Sequence, residues 1–291
     1  MKKYRAGLCL AAALLGAGAA FAAVELKPQK HGQCYTAEQL FILDKKGAGG
    51  GMGTLHGEFA FRREQALEDD AIKEIGWMTL KPGAYIGLHS HKDNEDAYLI
   101  VSGKGVFTDG NGNAWVVGPG DMTLARPGQS HGLANLSKED LVFLDIIAKN
   151  NAADLEALAK NPTGQCFRLK DLFDKNVEKA GAGKGTGVLY GKFAFRREQA
   201  TDDQAIKEIG LMTLKKGASI GMHPHVDNDD AYIIIAGTGV FTGSDGKEIE
   251  VGPKSVTIAG PGESHALRND NDQDLVFIDL IARNHALKIA K

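Results

Sequence analysis

Residues 83–103 read GAYIGLHSHKDNEDAYLIVSG. His89 and His91 stand one residue apart, the acidic pair Glu95 and Asp96 follows, and an apolar run, AYLIV, comes next. In a strand, residues i and i+2 share a face. His89 and His91 therefore project the same way, about one ligand-to-ligand distance apart. Two imidazoles on one strand face and a carboxylate on the next strand make a natural metal site. The same pattern returns at residues 217–237, GASIGMHPHVDNDDAYIIIAG, an offset of 134.

Outward from this stretch the repeat continues. Gly57–Asn150 and Gly191–Asn284 align at that offset without a gap, and 57 of the 94 positions are identical. The chain of 291 residues is a tandem duplication of one domain. In the first copy, strands are expected near 71–80, 84–91, 96–102, 105–108, 114–117, 122–125, 131–135 and 140–147. Between them lie Lys-Pro-Gly, Gly-Lys-Gly, Asp-Gly-Asn-Gly, Gly-Pro-Gly-Asp and Arg-Pro-Gly, each supplying the φ that a tight turn needs. Short strands without crossover helices predict an all-β fold, two tandem antiparallel β-barrels of jelly-roll type. Segments 36–46 and 167–179 look partly helical, with Thr36 and Gln39 set for a capping box. Residues 151–160, NAADLEALAK, predict a linker helix capped by Asn151.

The start of the chain carries Lys2, Lys3 and Arg5, then an Ala/Gly-rich apolar run ending in Ala20-Phe21-Ala22. That is the pattern of a cleaved secretory signal over residues 1–22. It predicts a periplasmic or secreted protein, with a first domain (arm and linker helix included) over 23–160 and a second over 161–291. Without the signal, 31 basic and 37 acidic residues remain. An acidic balance argues against nucleic acid as a partner, and no later stretch is apolar enough to span a membrane. Cys34 and Cys166 each close a Gly-Gln-Cys tripeptide at the head of a repeat. An exported chain can join them in a disulfide, the alternative being two free thiols.

A second histidine motif follows in each copy. Residues 127–135 read PGQSHGLAN and 261–269 read PGESHALRN. A Pro-Gly turn feeds a strand that starts near His131 or His265, and such a strand can lie beside the one carrying the His-x-His pair. Each copy thus offers three histidines and a carboxylate. His31, His56 and His285 have no counterpart in the other copy and are expected in solvent. A buried core set without metal would leave each polar group needing a partner, at about 1–3 kcal/mol apiece. One cation satisfies all four together.

These motifs resemble those of the cupin superfamily. Gly83, His89, His91 and Gly103 match its first motif, as do Gly217, His223, His225 and Gly237. Gly128, His131 and Asn135 match its second, as do Gly262, His265 and Asn269. The resemblance implies a bicupin with one divalent transition metal per domain (Mn, Fe, Ni, Cu or Zn). Its ligands would be His89, His91, Asp96 and His131, then His223, His225, Asp230 and His265. The sequence departs from the family in its carboxylate. Where cupins carry a glutamate separated from the closing glycine by six residues, this chain has Asp96 and Asp230. Glu95 is the alternative by spacing from His91, and strand period favours Asp96. Gly120 of the first copy becomes Lys254, which weakens that turn.

Tyr98 and Tyr232 are candidates to bind substrate in the cavity or simply to pack. Arg62-Arg63, repeated as Arg196-Arg197, can hold a carboxylate bidentately, although a solvated pair is the plainer account. The glycine-rich segments GAGGGMG (47–53) and GAGKGTG (181–187) lack the spacing of a phosphate loop and are read as connections. The resemblance implies a metal-dependent enzyme (a dioxygenase, decarboxylase, isomerase or lyase) acting on a small polar or carboxylated molecule. The rival is a non-catalytic cupin binding a sugar or small acid around a structural metal. By the same analogy, cupins associate through outer strands, which would make a homo-oligomer.

Overall fold

A computed structural model describes residues 26–27, 31–150, 156, 158, 160, 164–172 and 179–283. The signal sequence expected over 1–22, most of the linker helix expected over 151–160, and His285 lie outside these residues. The first copy is built from β1 (Cys34–Tyr35), β2 (Phe41–Lys46), β3 (Thr54–Phe61), β4 (Ile72–Leu80), β5 (Tyr85–Ser90), β6 (Asn94–Ser102), β7 (Gly105–Asp109), β8 (Ala114–Val117), β9 (Met122–Ala125), β10 (Ser130–Ala134) and β11 (Leu141–Lys149). The second follows as β12 (Cys166–Phe167), β13 (Lys179–Ala180), β14 (Val188–Phe195), β15 (Ile206–Leu214), β16 (Ser219–Pro224), β17 (Asp229–Ala236), β18 (Gly239–Thr242), β19 (Glu248–Val251), β20 (Val256–Ala259), β21 (Ser264–Arg268) and β22 (Leu275–Ala282). No helix among the described residues is long and apolar enough to cross a membrane.

Each barrel is a seven-stranded sheet facing a four-stranded one. The orders are β12-β9-β6-β11-β4-β3-β2 with β5-β10-β7-β8, then β1-β20-β17-β22-β15-β14-β13 with β16-β21-β18-β19. The eight strands expected in the first copy all form, within about two residues at each end. Segment 36–46 is corrected. Only Ala37–Gln39 makes a short 3-10 turn, with the Thr36–Gln39 capping box formed, and residues 41–46 are strand β2. Pairing with β3 overrides local preference there: Phe41 lies opposite Phe59, their rings 5.8 Å apart.

The edge strands are exchanged. β1 pairs with β20 of the second copy, and β12 pairs with β9 of the first. Each Gly-Gln-Cys head therefore docks on the barrel that does not contain it in sequence. Cys34 sits opposite Thr257 and packs on the second barrel's core; Cys166 sits opposite Thr123 and packs on the first's. Both thiols are free, so the Cys34–Cys166 disulfide is corrected to two separate cysteines. Burial pushes each thiol up to about 11.

Both faces of the large sheets are buried. One apolar cluster fills each barrel, and a third, including Phe61, Trp77, Leu99, Phe195, Ile209 and Ile233, draws on both copies and joins the barrels. β6 shows why period 2 matters. Ala97 and Leu99 point into the joint, while Tyr98 and Ile100 point into the first barrel. Glu95 belongs to the joint. Its buried carboxylate accepts hydrogen bonds from Ala205 N (2.9 Å), Ile206 N (2.9 Å) and Asn150 Nδ2 (2.6 Å). Asp229 of β17 answers it, with Oδ2 accepting from Ala71 N and Ile72 N at 2.8 Å each. Lys254 takes the positive φ (74°) that Gly120 has in the first copy (85°). The turn forms, and the lysine reaches across the joint to Glu58.

Candidate metal centres

β5 and β10 are neighbours, and the register sets His89 directly opposite His131; β16 and β21 set His223 opposite His265. β6 and β17, on the facing sheets, aim Asp96 and Asp230 into the same spaces. In the first barrel Asp96 Oδ2 lies 3.5, 3.7 and 4.0 Å from Nε2 of His131, His91 and His89. In the second, Asp230 Oδ2 lies 3.6, 3.7 and 3.9 Å from Nε2 of His265, His225 and His223. Within each set one ligand atom per residue lies within 4.8 Å of all the others. These are the residues expected from the sequence, Asp96 rather than Glu95 among them.

The donor set fits a divalent transition ion. His91 and His131 Nε2 are 3.1 Å apart, and in the second barrel the corresponding pair is 3.1 Å and His265–His223 3.2 Å. Bonds of about 2.1 Å put right-angle neighbours roughly 3.0 Å apart and tetrahedral neighbours roughly 3.4 Å apart. The imidazole nitrogens stand close enough for one ion to be held by all of them in either geometry. The carboxylates stand farther off, as befits a side chain one methylene shorter than glutamate.

Supporting contacts orient the rings. His89 Nδ1 hydrogen-bonds Gly87 O at 2.9 Å and His223 Nδ1 Gly221 O at 2.8 Å, which turns each Nε2 inward. The Asn94 and Asn228 side-chain amides lie 3.0 and 3.1 Å from Nδ1 of His91 and His225. Tyr98 and Tyr232 stack on His131 and His265, ring centroids 4.5 Å apart in each case. The tyrosines are buried, and each also lines its cavity.

Burial lowers His91 and His225 to about 4, so both are neutral and ready to ligate at neutral pH. Burial alone would raise Asp96, but the facing His131, His89 and His91 outweigh it and hold the carboxylate well below its usual range; Asp230 behaves alike. Asp145 and Asp279 are the opposite case. Burial first, and then the charge of Asp96 or Asp230, pushes each well above the carboxylate range, which favours the protonated form beside the ligand carboxylate. The sequence carried a signal for them: one aspartate inside the apolar strands LVFLDIIA and LVFIDLIA.

A cavity of about 580 Å³ opens on the first centre and one of about 300 Å³ on the second. Arg62, Arg63 and Glu74 line the first, and Arg196, Arg197 and Glu208 the second. Arg62 is held between Glu74 (Nε–Oε2 3.2 Å) and the Phe59 ring (5.1 Å), whereas the Arg63 side chain is half exposed. The glycine-rich segments form part of the wall. A Cβ on Gly49 would lie 2.8 Å from Gly87 O and 3.0 Å from His89 Nδ1, and Gly183 repeats this against Gly221 and His223. Of the unmatched histidines, His56 is partly exposed and pairs with Asp44. His31 is corrected: it is largely buried, stacked on Phe61 at 3.8 Å.

The family model described as Cupin domain matches residues 76–147 and 210–281. An oxalate-binding protein of Thermotoga maritima is 40% identical over 70 residues, 24% of this chain. Only 57% of that relative's length is covered. Among solved structures, the Lactobacillus farciminis oxalate decarboxylase formate complex superposes with a TM-score of 0.62 at 15% identity, over 90% of this chain and 89% of that one. A Bacillus subtilis oxalate decarboxylase with Mn(II) centres gives 0.60 at 18% identity, over 91% and 81%. The Escherichia coli protein Ylba gives 0.65 at 13% identity, over 89% and 95%.

Proposed function

The chain belongs to the cupin family, with two cupin domains in tandem, and from that premise we propose that it is an exported, metal-dependent enzyme acting on a small dicarboxylate of the oxalate class. The observation that supports this most is the pairing, in both barrels, of a three-histidine, one-aspartate cluster with an arginine pair lining the same cavity. A bound divalent ion, manganese(II) being the first to test, supplies a Lewis acid for an anionic oxygen. Arg62 and Arg63 both pair with Glu74 (Nε–Oε2 3.2 and 3.5 Å), and Arg63, the more exposed of the two, meets the distal carboxylate. Asp145, buried beside Asp96 and favoured in its protonated form, is positioned to orient that carboxylate. His89 and His223, about a quarter exposed, mark the side by which ligand enters. Glu74 and Glu208 stand beside the arginines as candidates to hold or deliver a proton; burial raises Glu208 above its ordinary value.

The test is metal analysis followed by calorimetry with oxalate on the metal-loaded protein, and assay of formate and carbon dioxide. Two metals and two oxalates per chain are expected, with binding lost site by site in Arg63→Ala and Arg197→Ala. Metal-loaded protein that ignores oxalate would refute the substrate class. Resemblance to an oxalate-binding protein favours a second reading, binding without turnover; tight oxalate binding with no product selects it.

A further inference from the structure

The two barrels repeat each other closely at the metal, yet the outer faces of their small sheets have diverged. The large sheets meet at the joint, so each four-stranded sheet turns its outer face away from the other barrel. In the first barrel the register lines up one outward residue from each strand. Met52 bridges to Tyr85, Tyr85 lies opposite Ala134, Ala134 opposite Val106, and Val106 opposite Val116. Directly paired residues share a face. With strands about 4.8 Å apart, the row is an unbroken apolar band roughly 19 Å long. Leu88 flanks it beside Gly132, and Leu136 follows just past the end of β10. Met52, Leu88, Val116 and Leu136 are each more than half exposed, at 59%, 56%, 60% and 73%.

The second barrel is the internal control. The same row reads Thr186, Ser219, Arg268, Val240 and Glu250, with Met222 for Leu88 and Asp270 for Leu136. Arg268 there is held by Glu248 (2.8 Å) and Asp270 (2.6 Å). Copies that share 57 of 94 aligned residues thus keep only one of these seven, Val106 as Val240. The second barrel shows that this sheet folds with a charged outer face, so the apolar one is not required by the barrel itself.

We propose that the outer face of the first barrel's small sheet is an interface between two copies of this chain related by a two-fold axis. Across such an axis each group meets its own like, so a face that pairs with itself must be free of charge near the axis. The row from Met52 to Val116 carries none; its counterpart carries Arg268 and Glu250. A different protein would ordinarily be selected by a pattern of charge, and this band offers no such pattern. The exposed parts of the band and its two flanking leucines come to roughly 500 Å², at the upper end for the largest apolar patch of a monomer. Two such faces with their rims bury on the order of 1,200 Å², the lower bound for a specific dimer. Only one of the chain's two outer faces is apolar, so association closes at two chains and does not propagate.

The experiment is sedimentation velocity on the metal-loaded protein across a dilution series. A mass of two chains is expected at about 200 µM, dissociating on dilution with a Kd of roughly 1–50 µM. Because the contact is apolar, raising sodium chloride to about 0.5 M should leave it intact. Val116→Glu and Leu136→Asp each install the residue that the second barrel carries at the same place, so both should fold and keep two metals per chain. Each should weaken association by about a hundredfold, since the two-fold axis buries the new charge twice. Thr186→Asp, at the position of Met52 in the other barrel, should leave the dimer unchanged. A single-chain mass at about 200 µM would overturn the proposal and leave the face to a different protein. So would a dimer that survives both Val116→Glu and Leu136→Asp, one that salt dissociates, or one that Thr186→Asp weakens as much as they do.

Discussion

Glu95 and Asp96 are adjacent acids with opposite tasks, and replacing each by alanine separates them. Glu95→Ala removes the acceptor of three hydrogen bonds, from Asn150 Nδ2, Ala205 N and Ile206 N, at a position with no solvent exposure. Each donor left unsatisfied in a buried joint costs about 1–3 kcal/mol. Some relax or recruit water, so a loss of roughly 3–5 kcal/mol is expected for the set. At about 2–4 °C per kcal/mol for a protein of this size, the melting midpoint should fall by roughly 6–20 °C. Metal content should stay at two per chain, because Asp96 points to the other face of β6. Asp96→Ala should do the reverse, reducing metal to one per chain while keeping the barrels joined. The assays are elemental analysis of the desalted protein and calorimetric melting of metal-free samples, so that metal loss does not masquerade as unfolding. Glu95→Ala protein that carries one metal and melts like the parent would refute the division of labour.

Three further outcomes follow from the same geometry. Gly49→Ala puts a Cβ 2.8 Å from Gly87 O and 3.0 Å from His89 Nδ1 at a φ of 58°, so metal affinity at the first site should drop; Gly50→Ala, with a φ of 77° but nothing within 4 Å, should cost only backbone strain of about 1 kcal/mol. Competitive chelation of the two variants distinguishes them. In metal-free protein, His91 and His225 are lowered to about 4 by burial, so the unfolded chain binds more protons between pH 4 and the ordinary histidine value of about 6.5. Their contribution to stability is therefore complete above that range and lost as pH falls through it, which urea titrations at stepped pH will show as a falling midpoint. Cys34 and Cys166, held up at about 11 and half-buried, should react slowly as two free thiols in native protein and promptly once unfolded; fewer than two thiols without reductant would restore the disulfide.

Much of the centre was legible because its ligands are local in sequence. His89 and His91 share a strand face by period alone, and the same period assigns Asp96 inward. The Pro-Gly turn before His131 announces the strand that completes the set, and duplication states everything twice. Strands β2 and β3 were harder. Their apolar residues sit among charges and glycines, and only cross-strand partners such as Phe59 make 41–46 extended.

The chain by itself determined the duplication, the strands of the barrel wall, and the metal-binding residue set, since each depends on spacing along a strand or on the residues of a turn. Tertiary structure alone decided the rest. Which barrel each Gly-Gln-Cys arm joins depends on a sheet edge 223 residues away along the chain for Cys34 and 43 for Cys166, so the exchange and the separation of the thiols leave no local trace. Asp145 and Asp279 are ordinary aspartates until burial beside a second carboxylate pushes their pKa upward. Glu95, the more obvious ligand in a list of residues, became a joint between domains because the far face of β6 is covered by the other barrel rather than by water.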